Sequence, residues 1–323
     1  MKQMTFGATG FDKHAKATRR ARFLAEMDRV VPWSALCALI DPIYSKGTTG
    51  RPPVGVERML RIYFLQNWFN LSDPAVEEAL YDVVSMREFV GIDLGREPAP
   101  DETTILRFRH LLEAHGLGKR LFEEVGRHLQ DKGLKLSTGT IVDATIISAS
   151  GSTKNKAGAR DPEMKSTKKN NQWYFGMKAH IGTDSKTKLI HSVSVTNAGV
   201  HDSQQLPHLL HGSERRVYGD SAYRNQKSLL RTAAPRAQDF TNEKGYANRP
   251  LTEVQRARNR TKSRVRAKVE HAFGVIKRIF GFTKARYRGL AKNANRVFVA
   301  AALANLYLVR RYLIGLEQKR CVQ

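Results

Sequence analysis

The spacing of apolar residues changes near residue 137, and this change constrains the fold more than any other feature of the sequence. Up to about residue 130 the apolar side chains recur every three or four positions, as Leu60 and Phe64 do, which is the period of a helix buried on one side. Helix N-caps are expected at Ser72 or Asp73 and at Asp101 or Thr103. We therefore predict an all-helical N-terminal domain over residues 1–136.

Beyond this point the apolar runs are short, rich in β-branched residues and bounded by glycine, a pattern that is typical of strands. The predicted strands are 140–149, 173–182, 189–196 and 215–223, and the predicted helices are 201–211, 251–280 and 291–316. Three consecutive strands, then a helix, a strand and further helices describe a mixed sheet flanked by helices. The predicted fold class of residues 137–323 is therefore α/β.

The segment 151–172 differs from its neighbours in composition. It carries six Lys or Arg and two acids, and it has no Leu, Ile, Val or aromatic residue. Because such a segment has little to bury, we predict a basic loop within the α/β domain.

The charge of the chain indicates its class of partner. There are 55 Lys and Arg against 30 Asp and Glu, a formal net charge of +25, which favours a polyanion such as nucleic acid. The two cysteines, Cys37 and Cys321, exclude a disulfide framework and a cysteine-based zinc module and are typical of a reducing cytosol. With no apolar leader and no apolar run of ~18 residues, we expect a cytoplasmic protein without a membrane span.

Three acids stand where carboxylates are unusual. Asp143 interrupts an apolar strand, Asp220 ends another, and Glu270 lies beside the apolar stripe of the long basic helix. Burial of an acid is costly unless a cation compensates its charge. The structural alternatives are a cap of the next turn for each aspartate and an ion pair between Arg266 and Glu270, four positions apart.

Together the three acids favour a particular chemistry. Carboxylates from two strands and a helix, without a Cys or His cluster, suit Mg²⁺ or Mn²⁺. Two such ions roughly 3.5–4 Å apart promote in-line phosphoryl displacement, so we predict phosphodiester chemistry on DNA or RNA, with Asp143, Asp220 and Glu270 as catalytic residues and metal ligands. Basic residues around Glu270 would hold the phosphate backbone: Arg266, Lys277, Lys262, Arg264, Lys268 and Arg278.

At these motifs the chain resembles the bacterial insertion-sequence transposases of the DDE superfamily, in the insertion-sequence-five group. The matching stretches are Ile141-Val-Asp-Ala-Thr, Val217-Tyr-Gly-Asp-Ser-Ala-Tyr, and the segment with Arg266, Glu270 and Lys277 at the family's spacing. The family often has Tyr three residues before the Arg, where this chain has Ser263. Upstream, the segments beginning at Leu71 and Pro100 are similar to the helical domain of these enzymes.

The resemblance implies a ribonuclease-H-like catalytic domain and a DNA transposase. Such an enzyme would cut the ends of an insertion sequence and transfer the 3′-hydroxyl into target DNA. The resemblance also implies recognition of the terminal inverted repeats by the helical domain and at least a dimer on DNA. Two alternatives remain open from the sequence: a non-catalytic DNA-binding protein, such as a regulator or decayed transposase, and a metal-dependent nuclease without strand transfer.

Three further features have ordinary structural interpretations. Asp202, at the start of a predicted helix, is expected to be its N-cap, and the alternative is that His201 and Asp202 place another polar pair near the site. Trp173 is expected to pack in the core rather than stack on a base. The segment 50–53, Gly-Arg-Pro-Pro, resembles a minor-groove hook but also fits a stiff linker.

Overall fold

The structure, a computed structural model, describes residues 16–45, 47, 53–156, 158–224, 226–246 and 248–321. The possible minor-groove hook at 50–53 lies outside these ranges except for Pro53, as do the first 15 residues.

The N-terminal part is helical, as the apolar spacing predicts. Its helices are α1 (Arg19–Val30), α2 (Trp33–Ile40), α3 (Val56–Phe69), α4 (Asp73–Asp82), α5 (Val84–Val90), α6 (Glu102–Ala114) and α7 (Leu117–Asp131). The Ser72 hydroxyl accepts a hydrogen bond from the Ala75 amide at 3.2 Å, and the Asp101 carboxylate accepts one from the Thr104 amide at 2.6 Å. Both predicted caps are therefore present.

The second part contains a mixed sheet. Its strands are β1 (Gly139–Ser148), β2 (Lys165–Lys169), β3 (Gln172–Asp184), β4 (Ile190–Asn197), β5 (Arg216–Tyr218) and β6 (Gln238–Asp239). The strand β3 pairs antiparallel with β1, β2 and β4, whereas β5 runs parallel to β1 and to β6. The antiparallel strands β1 to β4 followed by the parallel strands β5 and β6, flanked by helices, form the ribonuclease-H-like α/β arrangement, and the predicted fold class is confirmed.

The helices of this part are α8 (Lys227–Ala233), α9 (Glu253–Arg266), α10 (Val269–Gly274) and α11 (Leu290–Cys321), together with a 3₁₀ helix (Asp202–Leu209) and a π-helix (Val275–Ile279). The continuous helix predicted over 251–280 is therefore wrong in detail. A turn at Ala267 and Lys268 separates α9 from α10, and the last turns widen into the π-helix. Apolar spacing did not reveal these breaks because Ala267, Lys268 and Val275, where they occur, all keep a right-handed helical backbone.

The prediction of a loop throughout 151–172 is also wrong. Residues Lys165–Lys169 form β2, which joins β3 through Asn170 and Asn171. Both asparagines have positive φ, 49° and 62°, as a two-residue hairpin turn requires. Met164, which the count of Leu, Ile, Val and aromatic residues omitted, is buried and anchors the start of the hairpin.

Two layers of apolar residues cover the faces of the sheet. Ile141 belongs to the large core that also contains Val269 and Ala272 of α10. Val142 belongs to a smaller cluster with Leu206 of the 3₁₀ helix. Because successive strand residues point to opposite faces, Asp143 shares the α10 face with Ile141, and the 3₁₀ helix covers the other face.

The final helix, α11, packs against both α1 and α7 of the N-terminal part and against β4. Its segment Leu290–Lys319 is long and apolar enough to cross a membrane by length and composition, contrary to our expectation from the sequence. However, 56% of its most apolar window is buried inside the protein, so packing accounts for its apolar character. Since one cluster of buried side chains includes both Leu60 and Leu303, the domain boundary near residue 137 stays a prediction.

A buried amide joins α11 to the sheet. The Asn305 side chain accepts a hydrogen bond from the Ile190 amide at 2.8 Å and donates one to the Ile190 carbonyl at 2.7 Å. Asn305 thus supplies the ladder bonds that the first residue of β4 would otherwise lack, and it covers a strand edge that could pair with another chain.

We predict that Asn305→Ala lowers the free energy of unfolding by about 2–4 kcal/mol, because it leaves the two Ile190 backbone groups unpaired in the interior. Urea unfolding followed by circular dichroism measures this change. Lys292→Ala, at an exposed position of the same helix, is the control. Equal stability of the Asn305 and Lys292 variants would contradict this role of the amide.

Candidate active site

Asp143 lies in the middle of β1 and is largely buried. Its Oδ1 accepts a hydrogen bond from the Ala144 amide at 2.8 Å, and Arg266 Nη1 donates to its Oδ2 at 3.1 Å. The predicted alternative of an Arg266–Glu270 ion pair is therefore wrong: the guanidinium turns to the sheet and pairs with Asp143.

Burial raises the pKa of Asp143 to about 6, above its ordinary value of 3.8. Arg266 and the Ala144 amide act in the opposite direction, whereas the charges of Asp220 and Glu270 raise the pKa further. All three predicted acids thus interact electrostatically at this one position, although they are far apart in the sequence.

Asp220 follows β5, the parallel neighbour of β1. Its Oδ1 accepts a hydrogen bond from the Ala222 amide at 2.9 Å and caps a 3₁₀ turn, Ser221–Tyr223. The capping interpretation is therefore correct for Asp220, but the same side chain also lines a pocket with Asp143. Asp143 and Asp220 share this pocket because β1 and β5 pair in parallel, which places the ends of the two strands side by side.

The pocket that holds Asp143 and Asp220 has a volume of about 230 Å³. Its other charged lining residues are Asp202, Lys168, Lys169 and Lys178. Acids from β1, from the segment after β5 and from the 3₁₀ helix therefore meet basic residues of the β2–β3 hairpin in one cavity.

Glu270 lies in the first turn of α10 and is exposed. It does not line the pocket, and its charge raises the pKa of the half-buried Lys277, against the larger lowering by burial. Over the residues that the structure describes, no three His, Cys, Asp or Glu side chains lie close enough to hold one metal ion. The structure thus brings Asp143 and Asp220 together and leaves Glu270 at the rim.

The donor chemistry of the pocket nevertheless fits a divalent cation. The acids offer oxygen atoms, which Mg²⁺ prefers, and Asp143 is a buried carboxylate whose raised pKa a nearby positive charge would lower. With Asp143 already paired to Arg266, a cation would compete with the guanidinium for the same oxygen.

Several of the predicted DNA contacts are engaged inside the protein. The ammonium groups of Lys262, Lys268 and Lys277 donate to the carbonyls of Thr241, Ser185 and Ile146 at 2.9, 2.7 and 2.7 Å respectively. Arg264 and Arg278 are exposed. The two groups differ in accessibility, and only the exposed arginines are fully available to a phosphate in this arrangement.

Sequence reasoning missed three lysines of the pocket and preferred the less informative interpretation of its aspartate, Asp202. The expectation that Asp202 caps its helix is wrong, because the His201 ring accepts the hydrogen bond of the Ser203 amide instead. The Asp202 carboxylate pairs with Lys178 at 2.9 Å. Alternating polar residues in β3 were a signal for Lys178, but they do not reveal which loop lies opposite.

The expectation that Trp173 packs in the core is also wrong. It is 69% exposed and lies opposite Lys168 in the β2–β3 hairpin. An aromatic ring therefore stands beside the basic residues of the pocket rim, where it is available for stacking.

Comparison with known proteins gives matches over both parts of the chain. A family model described as "Transposase DDE domain" matches residues 135–306, and another, "Transposase domain (DUF772)", matches residues 12–111. Among solved structures, the chain is similar to the cryo-EM structure of a piggyBac transposase synaptic complex with hairpin DNA. That similarity has 12% identity and a TM-score of 0.47, over 90% of this chain and 73% of the other.

We predict that Arg266→Gln raises the pKa of Asp143 above its value of about 6, since the guanidinium lowers that pKa. Carbon-13 titration of the side-chain carboxyl groups in metal-free protein measures the shift, with Asp143→Asn to assign the resonance. Arg264→Gln, two residues away and exposed, is the matched control. An unchanged or lower pKa in the Arg266 variant would contradict the ion pair.

Proposed function

Because this chain belongs to the family of DDE transposases, we propose that Asp143, Asp220 and Glu270 are the catalytic carboxylates with which it cleaves and joins DNA. The observation that carries the assignment is the position of Asp143, a buried acid whose pKa is raised by the charges of Asp220 and Glu270. With the family established, a regulator without catalysis and a nuclease without strand transfer are both disfavoured.

Enzymes of this family use divalent metal ions, and we propose two Mg²⁺ or Mn²⁺ ions per active site. Bound in a pair, such ions activate an attacking oxygen and stabilise the leaving oxygen. Asp143 and Asp220 would hold them from the sheet. Glu270 would complete the site by turning inward, for which the turn at Ala267 and Lys268 provides a point of rotation.

The reaction would proceed in two displacements at phosphorus. In the first, a water oxygen bonds to the phosphorus at the element's end and the 3′-oxygen leaves with a proton. In the second, that 3′-hydroxyl bonds to a target phosphorus and displaces the target's own 3′-oxygen. Neither step needs a covalent bond to the protein, so the carboxylates only position groups and balance charge.

Arg266 would act as a phosphate ligand once Asp143 is occupied. In the described arrangement it neutralises Asp143, and a cation bound there would release the guanidinium toward the DNA backbone. Lys277, held to β1 through the Ile146 carbonyl, would act close to the same phosphate.

The partner is DNA, and we propose a division of the contacts. The helical part would recognise the terminal inverted repeats. Arg264, Arg278, Trp173 and the basic hairpin would contact the DNA next to the cleavage site. Since two element ends must be cut together, we propose at least a dimer on DNA, working in the bacterial cytoplasm.

We predict that Asp143→Asn, Asp220→Asn and Glu270→Gln each lower the rate of cleavage by roughly a hundredfold or more, because several kcal/mol of charge stabilisation are lost. The substrate is duplex DNA carrying the sequences that flank this reading frame, with Mg²⁺, and products are separated on denaturing gels. Asp131→Asn and Glu253→Gln, at exposed positions, are the controls. Wild-type cleavage by any of the three variants would refute its assignment.

We predict that replacing both Arg264 and Arg278 by Ala reduces the salt dependence of DNA affinity. The slope of log K against log salt concentration should fall by about 0.9 for each lost phosphate contact. Fluorescence anisotropy with duplex DNA across a salt series measures the slope. Lys119→Ala, exposed on α7, is the comparison. If the double arginine variant and the Lys119 variant have equal slopes, Arg264 and Arg278 do not contact the DNA backbone.

A further inference from the structure

The active-site pocket contains a carboxylate outside the three of the family signature. Asp202 lines the cavity together with Asp143 and Asp220. It arrives from the 3₁₀ helix on the face of the sheet opposite α10. Its own helix does not need it as a cap, because His201 Nδ1 accepts the hydrogen bond from the Ser203 amide. The Asp202 carboxylate therefore does not serve as the N-cap of its helix.

Lys178 neutralises Asp202 in the described arrangement. The ammonium lies 2.9 Å from Asp202 Oδ1 and also donates to the Val200 carbonyl at 2.8 Å. This pair mirrors the one between Arg266 and Asp143 at 3.1 Å. Two acids of one pocket thus each have a basic partner from the protein, as expected of a site that stabilises its negative charge while no external cation is bound.

Two buried polar atoms beside Asp202 are without hydrogen-bond partners among the described residues. His180 Nδ1, in a side chain that is 0% exposed, lies 3.9 Å from Asp202 Oδ1. The Tyr223 hydroxyl, in a residue that is 1% exposed, has no partner either. After burial, the charges of Asp202, Asp143 and Asp220 are the causes that raise the pKa of Tyr223.

Buried polar atoms in native proteins are normally satisfied by protein groups, water or an ion. Mg²⁺ keeps several of its water molecules in protein sites, and residues around a site hydrogen-bond such outer groups. His180 Nδ1, 3.9 Å from Asp202 Oδ1, is placed to do this on the Asp202 side of the pocket. Glu270, by contrast, is exposed at the rim.

We propose that Asp202 is an additional carboxylate of the divalent-cation site, and that Lys178 is the internal counter-ion which occupies it until a cation binds. This inference rests on the proposed function, since it concerns the same pocket. It adds a fourth acid from the opposite face of the sheet. It also gives Lys178 a new role, because the ammonium that leaves Asp202 becomes available to a DNA phosphate.

The test is direct binding of Mn²⁺ to the full-length protein without DNA, followed by electron paramagnetic resonance of the free ion. We expect Asp202→Asn to weaken Mn²⁺ binding by about tenfold or more, as Asp143→Asn also should. The exposed control Asp131→Asn should bind like wild type. Lys178→Met should tighten binding, because the competing ammonium is gone. Circular dichroism melting verifies that each variant is folded.

The outcomes separate the two proposals. Wild-type binding by Asp202→Asn with weakened binding by Asp143→Asn would overturn the role of Asp202 and leave the proposed function intact. Wild-type binding by Asp143→Asn would refute the cation site itself. If Asp202→Asn does not fold, Lys178→Met decides: tighter Mn²⁺ binding supports the proposal, and unchanged or weaker binding overturns it.

Discussion

A carboxylate in the middle of a buried strand is the constraint on which the rest of the site depends. Asp143 lies on β1, which has neighbours on both sides, and its charge is removed from most of its water. A charge in such a place requires a positive partner. The chain provides Arg266 at 3.1 Å, and the position of α9 and α10 over the sheet follows from this contact together with the apolar layer of Val269 and Ala272. In the proposed function, metal binding and DNA binding would both act on this ion pair.

Much of the fold could be predicted because it rests on local patterns. Helix caps at Ser72 and Asp101, the β1 strand and the β3–β4 hairpin all have short-range signals, and the structure contains them. The errors occurred where a local signal was weak or ambiguous. The Asn170-Asn171 turn was read as part of a polar loop, and the break at Ala267 leaves no trace in apolar spacing. The buried Met164 was overlooked because the segment around it is so rich in lysine.

The candidate site shows a different limit. Asp143 and Asp220 stood out because an acid next to an apolar run is conspicuous, and the structure brings them into one pocket. Asp202 was interpreted first as an N-cap and Lys178 was not considered, since an acid at a helix start and a lysine in an alternating strand are both common. Their proximity arises from the register of β3 and from the course of the chain after β4, which are non-local. Likewise, the ion pair of Arg266 could not be chosen from spacing alone, because Glu270 was an equally reasonable partner on the helix wheel.

The π-helix after α10 gives the Arg266–Lys277 spacing a structural meaning. Arg266 reaches the side chain of Asp143, and Lys277 reaches the main-chain carbonyl of Ile146, three residues further along the same strand. A π-turn accommodates one extra residue and so rotates everything that follows it around the helix axis. The eleven-residue interval between Arg266 and Lys277 therefore sets the distance between their two contacts with β1, one at Asp143 and one at Ile146. Inserting or deleting one residue inside this interval would rotate Lys277 away from Ile146 or Arg266 away from Asp143, even with every acidic residue intact.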